Sequence, residues 1–219
     1  MGNLYSLAGR TEEAEKEYLR VKEIDLKLAA ENPDAWLPDL ATVRNNLGNL
    51  YKGENRLAEA RAEYLKAKEA YEKLAAREPE AWLPPLAKVL TNLGGLYIKY
   101  DAPEIAEAEL NQALEIMTKL SDKQPEVYLP EIGKVYRNLA DLYRTTGNTA
   151  GEEETLRMID RVREDLEKLE TDRTLDNDND SYINVYPESA PKNAHGWKPP
   201  RVRDRERKGV LSIFRRKDK

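Results

Sequence analysis

The sequence predicts an all-α solenoid of helical hairpins, and three observations predict it. "NNLGNLY" at 45–51 returns as "TNLGGLY" at 91–97 and as "RNLADLY" at 137–143, a step of 46 residues each time (45 to 91 to 137). The longer stretches "NPDAWLPDLATVRNNLGNLY", "EPEAWLPPLAKVLTNLGGLY" and "QPEVYLPEIGKVYRNLADLY" superimpose at that step without a gap. Between the copies, apolar residues recur at intervals of three and four. Self-similarity at a fixed period, in units that cannot bury their own apolar faces, implies stacked repeats.

Each unit divides into two helices. Pro38, Pro84 and Pro130 suit the first helical position, where a missing N–H costs nothing, and the first helix then runs for about four turns to Tyr51, Tyr97 and Tyr143. Gly53 and Gly147 mark turns in two of the units. The second helix carries Leu57, Ala60, Tyr64, Ala67, Tyr71 and Leu74 on one face, spans about five turns, and ends before Pro79. Trp36, Trp82 and Tyr128 precede the linker prolines and are expected to anchor one unit on the next. The array covers residues 1–169: a partial repeat at 1–31, where "GNLY" at 2–5 matches 48–51 and the chain starts inside a first helix, then repeats at 32–77, 78–123 and 124–169. The last second helix, Thr149 to Leu169, has an apolar face of Leu156, Ile159, Val162, Leu166 and Leu169 and a charged remainder, as a terminal cap requires.

Composition narrows the chemistry. The chain has no cysteine and a single histidine, His195, so thiol nucleophiles, thiolate metal sites and histidine clusters are missing, and neither a metal nor a cofactor is expected. Its acidic residues fall at helical spacings expected to face solvent, and its glycines at packing or turn positions, so an enzyme finds no support. No window approaches eighteen apolar residues and the N-terminus lacks the pattern of a secretory leader, which reads as a cytoplasmic protein. Charge is divided unevenly: residues 1–169 carry 24 basic and 32 acidic side chains, whereas residues 196–219 carry 10 and 3.

Leu47, Gly48, Tyr51, Ala60, Tyr64 and Ala67 fit L-G-x-x-Y, eight residues, then A-x-x-x-Y-x-x-A, and this resembles the tetratricopeptide repeat. The second copy keeps Leu93, Gly94, Tyr97, Ala106 and Ala113 with Leu110 for the aromatic; the third keeps Leu139 and Tyr143 but has Ala140 for Gly and Glu152 for Ala. The period exceeds the family's usual length of about 34, and its Trp position holds Arg44, Leu90 and Tyr136. The extra residues are expected to lengthen the second helix and the linker, which is similar to the long repeats of kinesin light chain. HEAT-type repeats would suit the period but not the pattern.

The resemblance implies a right-handed superhelix whose first helices line a concave groove, with a bound peptide running along it. Asn46, Asn92 and Asn138 hold one position in three successive first helices and form a ladder there, similar to the asparagine ladders of kinesin light chain and related scaffolds. An amide donates and accepts, so each can pair with a peptide backbone whatever its side chains; alternatively each can bond the neighbouring repeat and hold the stack together. Thr42, Lys88 and Lys134 share a second groove position, Asn45, Thr91 and Arg137 a third, and Asn49, Gly95 and Asp141 a fourth. Lys88, Lys134 and Arg137 suit acidic groups, which partly resembles the carboxylate clamp of some co-chaperones, although two of its five positions hold Asn45 and Asn138 instead. The function implied is a protein-binding scaffold for an extended partner segment.

Residues 170–219 read as a disordered tail, acidic and then basic. "YINVY" resembles a phosphotyrosine adaptor motif, and "GWKPPR" suits an extended polyproline conformation. The basic run at 198–219 opens the rival readings: attachment to nucleic acid or an anionic membrane, docking on the acidic body, or service as part of a larger protein's regulatory repeats.

Overall fold

The computed structural model describes residues 2–183, which form eight helices and, among the described residues, no strand. These are α1 (Gly2–Leu7), α2 (Thr11–Glu31), α3 (Pro33–Gly53), α4 (Leu57–Ala75), α5 (Pro79–Lys99), α6 (Pro103–Ser121), α7 (Pro125–Thr145) and α8 (Thr149–Ile183). Each helix packs on the next in the chain, and the first helices α3, α5 and α7 touch in series, as in a solenoid of hairpins. No helix is long and apolar enough to cross a membrane among the described residues.

The helices begin earlier than the sequence suggests. Pro33, Pro79 and Pro125 hold the first position, and Pro38, Pro84 and Pro130 lie inside the helices. The residues before the true starts, Asn32, Glu78 and Gln124, have φ of -142, -132 and -140, outside the helical region as a residue preceding proline must be. An internal proline leaves the carbonyl four residues back without its bond. That carbonyl belongs to Glu80 or Glu126, both exposed, where water can replace the lost donor. Starting at the later proline would instead unfold the turn carrying Trp82 and Leu83, which pack on the core. The linkers are therefore short, and the residues beyond the usual repeat length extend the first helices at their N-termini as well as the second ones.

Every hairpin turn has the same construction. Gly9, Asn55, Asp101 and Gly147 take φ of 70, 61, 53 and 73, the left-handed region that Gly, Asn and Asp tolerate best. The next residue's N–H then closes on the carbonyl five back: Arg10 on Tyr5, Arg56 on Tyr51, Ala102 on Tyr97 and Asn148 on Tyr143, at 2.8 to 3.1 Å. Gly53 is not the turn residue; it ends α3, and Asn55 takes the left-handed place.

The core sits between the two layers of helices. Leu47, Ala60, Tyr64, Ala67, Leu93, Ala106, Leu110 and Ala113 are fully buried, so the positions that define the repeat also define the core. Trp82 stacks on Tyr71 of the preceding hairpin at 6.1 Å between ring centroids, the inter-unit anchor in the middle of the array. On the second-helix side, Lys22 bonds Glu63 at 2.8 Å and Lys68 bonds Glu109 at 2.7 and 2.8 Å, each pair joining neighbouring hairpins. One step further on, both partners change together, to Leu114 and Thr155.

The last hairpin departs from the others. A Cβ at Gly48 would stand 2.5 Å from the Tyr64 ring, and one at Gly94 would stand 2.6 Å from Leu110 Cδ2. Ala140 carries that Cβ, and its partner position, Leu156, faces solvent at 48% exposure rather than lying on the buried face. Thr155 and Val162 are buried instead, with Ile159, Leu166 and Leu169 packed beside them. The helix does not stop at Leu169 but continues to Ile183. The readings of "GWKPPR" and of the basic run at 198–219, and most of "YINVY", lie outside the described residues.

Candidate peptide-binding groove

The ladder position is built by the first helices. Asn46, Asn92 and Asn138 follow one another on α3, α5 and α7, immediately before the buried Leu47, Leu93 and Leu139, and all three are half-buried. Their Nδ2 groups point back along the array. Asn46 donates to Asn3 Oδ1 (3.3 Å), Asn92 to Asn45 Oδ1 (3.3 Å) and Asn49 Oδ1 (3.1 Å), and Asn138 to the Thr91 carbonyl (3.4 Å). Among the described residues, none of the three Oδ1 atoms accepts a hydrogen bond. One half of each amide is thus committed to the preceding hairpin and the other half is free.

Asn45, Asn49 and Asn92 are drawn together by this network. Asn49 Oδ1 also accepts from the Tyr64 hydroxyl at 2.7 Å, and Asn3 Oδ1 from the Tyr18 hydroxyl at 2.5 Å. Burial pushes the Tyr64 phenol well above its ordinary pKa, so it stays a proton donor across the physiological range. The acceptors on which Asn46 and Asn92 lean are fixed from below. In the next hairpin both parts are missing, Gly95 standing for Asn and Leu110 for Tyr, and Asn138 turns to backbone.

The cationic positions behave differently from one another. Lys88, Lys134 and Arg137 are all exposed. Lys134 is held by Glu131 on its own helix at 2.7 Å, whereas Lys88 and Arg137 make no ion pair among the described residues. Thr42 bonds the Pro38 carbonyl at 2.9 Å and meets the Tyr71 hydroxyl at 3.1 Å; Thr91 bonds the Ala87 carbonyl at 2.8 Å; and Asp141 is bonded to Arg144. These three serve the scaffold.

Two residues of the site escaped the sequence reading. Asn3 is the first member of the Asn49 position, visible once the 46-residue step is carried back from 49 to 3. Lys52 is the second: its Nζ lies 3.4 Å from where a Gly95 Cβ would stand, beside the Asn138 amide. It is half-buried, without an ion pair among the described residues, and burial together with the Lys99 charge holds its pKa below the ordinary lysine value. Only the missing side chain at Gly95 hints at it in the sequence.

Among the described residues no group of three or more metal-ligating side chains gathers. The arrangement presents carbonyl oxygens at regular steps, flanked by cations, on a surface made of helix rather than loop. The tetratricopeptide repeat family model matches residues 41–74, from the second half of α3 through α4. No curated protein matches. The crystal structure of BtubC (BKLC) from P. vanneervenii is similar in fold, with a TM-score of 0.60 at 23% identity over 91% of this chain and 68% of that one.

Proposed function

We propose that this chain, whose residues 41–74 match the tetratricopeptide repeat model and whose fold is similar to that of BtubC, is a non-enzymatic scaffold that holds an extended partner segment along its first helices. Such repeats mediate protein–protein contacts. The observation that carries the finer reading is the divided amide of Asn46, Asn92 and Asn138: the donor braces the stack while Oδ1 stays open. Acceptors repeating at the hairpin spacing suit backbone N–H groups, which every partner sequence supplies. Lys52, Lys88 and Arg137 then favour acidic side chains beside that backbone.

The test separates the two halves of the amide. Peptides are selected on the protein from a random displayed library, and their affinity is measured for the parent and for two double variants. Asn92→Ala/Asn138→Ala removes both halves and is expected to weaken binding on the order of tenfold or more, about one lost hydrogen bond per site. Asn92→Asp/Asn138→Asp keeps acceptor oxygens, loses the donors and adds two negative charges, so at high salt, where those charges are screened, it should retain binding while melting earlier. Equal affinity for the parent and the alanine variant would sink the ladder reading.

A further inference from the structure

Asn49, Gly95 and Asp141 hold one groove position in three successive units, and Lys52, Ile98 and Arg144 hold another, three residues further on (49 to 95 to 141; 52 to 98 to 144). In the third unit the two positions answer each other, since Asp141 accepts from Arg144 and the cation there has its carboxylate. The first unit has the cation without the carboxylate: Asn49 is neutral, and its Oδ1 is taken by Tyr64 and Asn92. Lys52 leans instead toward the second unit, where Gly95 leaves the position without a side chain. Its Nζ and Asn138 Nδ2 each lie 3.4 Å from the point that a Cβ on Gly95 would occupy. An ammonium from α3 and an amide from α7 thus converge on one notch in α5.

The notch has donors and positive charge but is short of acceptors. Lys52 is half-buried and makes no ion pair among the described residues; burial and the Lys99 charge both disfavour its protonated form. Asn138 Nδ2 has one long bond, to the Thr91 carbonyl at 3.4 Å. Taking an ammonium partly out of water is costly without a counter-ion. A carboxylate brought to Lys52 is also screened less than one at the exposed Lys88 or Arg137, where a solvated pair contributes little. With glycine at position 95, α5 puts no side chain of its own between a bound segment and these donors.

We propose that the notch at Gly95 is the anchoring subsite of the groove, where Lys52, flanked by the Asn138 amide, receives one carboxylate of the bound segment, from an Asp or Glu side chain or from the segment's C-terminus. This rests on the peptide-binding reading and adds to it a register. Ladder acceptors pair with any backbone, so sliding a segment along them costs little. One charge-assisted contact at a fixed place removes that freedom. The carboxylate that the third unit supplies from within, at Asp141, is supplied at Lys52 by the partner.

The test is a set of parallel selections from a random displayed library, on the full chain and on three variants of it. Lys52→Gln removes the ammonium, Gly95→Asp fills the notch with a carboxylate of the chain's own, and Lys66→Gln removes an exposed charge from α4 as a control. Peptides with an acid at one fixed position are expected on the parent and on Lys66→Gln, and that acid should vanish from those selected on the other two. Replacing it by its amide in a synthetic, C-terminally amidated peptide should weaken binding to the parent about tenfold and leave binding to Lys52→Gln unchanged. A peptide cut so that its free C-terminus takes the place of the acid separates the sources: full affinity assigns the site to a terminal carboxylate, and lost affinity to a side chain. Asn138 belongs to both notch and ladder, so ladder dependence is scored here with Asn46→Ala/Asn92→Ala. Peptides that need Asn46 and Asn92 but carry no fixed acid, or keep it on Lys52→Gln, overturn the subsite and leave the ladder standing. Peptides indifferent to Asn46 and Asn92 that lose their acid on Lys52→Gln do the reverse, and a selection that yields no peptide overturns both.

Discussion

Gly94→Ala is expected to destabilise the protein by about 2–3 kcal/mol, while Gly95→Ala, one residue away on the same helix, is neutral or slightly stabilising. The added methyl of Gly94→Ala falls on Leu110 Cγ and lies 2.6 Å from Cδ2 and 3.3 Å from the Ala106 carbonyl. Leu110 is fully buried, so neither that side chain nor the backbone behind it can step aside without parting α5 from α6. At Gly95 the methyl meets only Asn138 Nδ2 and Lys52 Nζ, both at 3.4 Å and both at the ends of adjustable side chains. There the gain is helix propensity, about 0.5–1 kcal/mol. Thermal melting should show a fall of roughly 4–12 °C for the first variant and none for the second. Equal effects would mean that the close approach of α5 and α6 is wrong. The same pair of variants bears on the groove, because Gly95→Ala narrows the slot beside Lys52 without touching the core.

The second large effect concerns the ion pairs between second helices. Lys68→Met leaves Glu109, 9% exposed, facing the place where two bonds were made. Stranding one member of a buried pair costs more than the pair itself contributes. With a fifth of the Lys68 side chain still exposed, the loss should be about 2 kcal/mol rather than the 3–5 of a fully buried pair. Lys68→Leu/Glu109→Thr, which copies what the chain places at 114 and 155, should recover most of it. Urea midpoints of the parent, the single and the double variant form the measurement; a double variant no better than the single would show that the pair contributes direct attraction and not only relief of a stranded charge.

The repeat, its hairpins and its core were legible because the residues that define them are constrained from several sides at once. Leu47, Gly48 and Tyr64 meet across two helices, and each limits what the others can be. The helix starts were misplaced because two prolines five residues apart both satisfy the local rule, and only the packing of Trp82 and Leu83 chooses between them. Leu156 was assigned to the buried face by period alone; the methyl of Ala140, on another helix, decides otherwise. The ladder could be seen as a row of asparagines, but which half of each amide is free depends on Asn3, Asn45 and Asn49 in the hairpin before.

The prolines inside the first helices give the array its compliance. Pro38, Pro84 and Pro130 each interrupt the backbone ladder one turn and a half from the helix start, and unit two has Pro85 as well. The stretch ahead of each break is held to the rest of its helix by fewer rungs, at the place where one hairpin meets the next. A stack with a softened rung at every joint is expected to flex there first, as stiff plates on short hinges, while each hairpin keeps its shape.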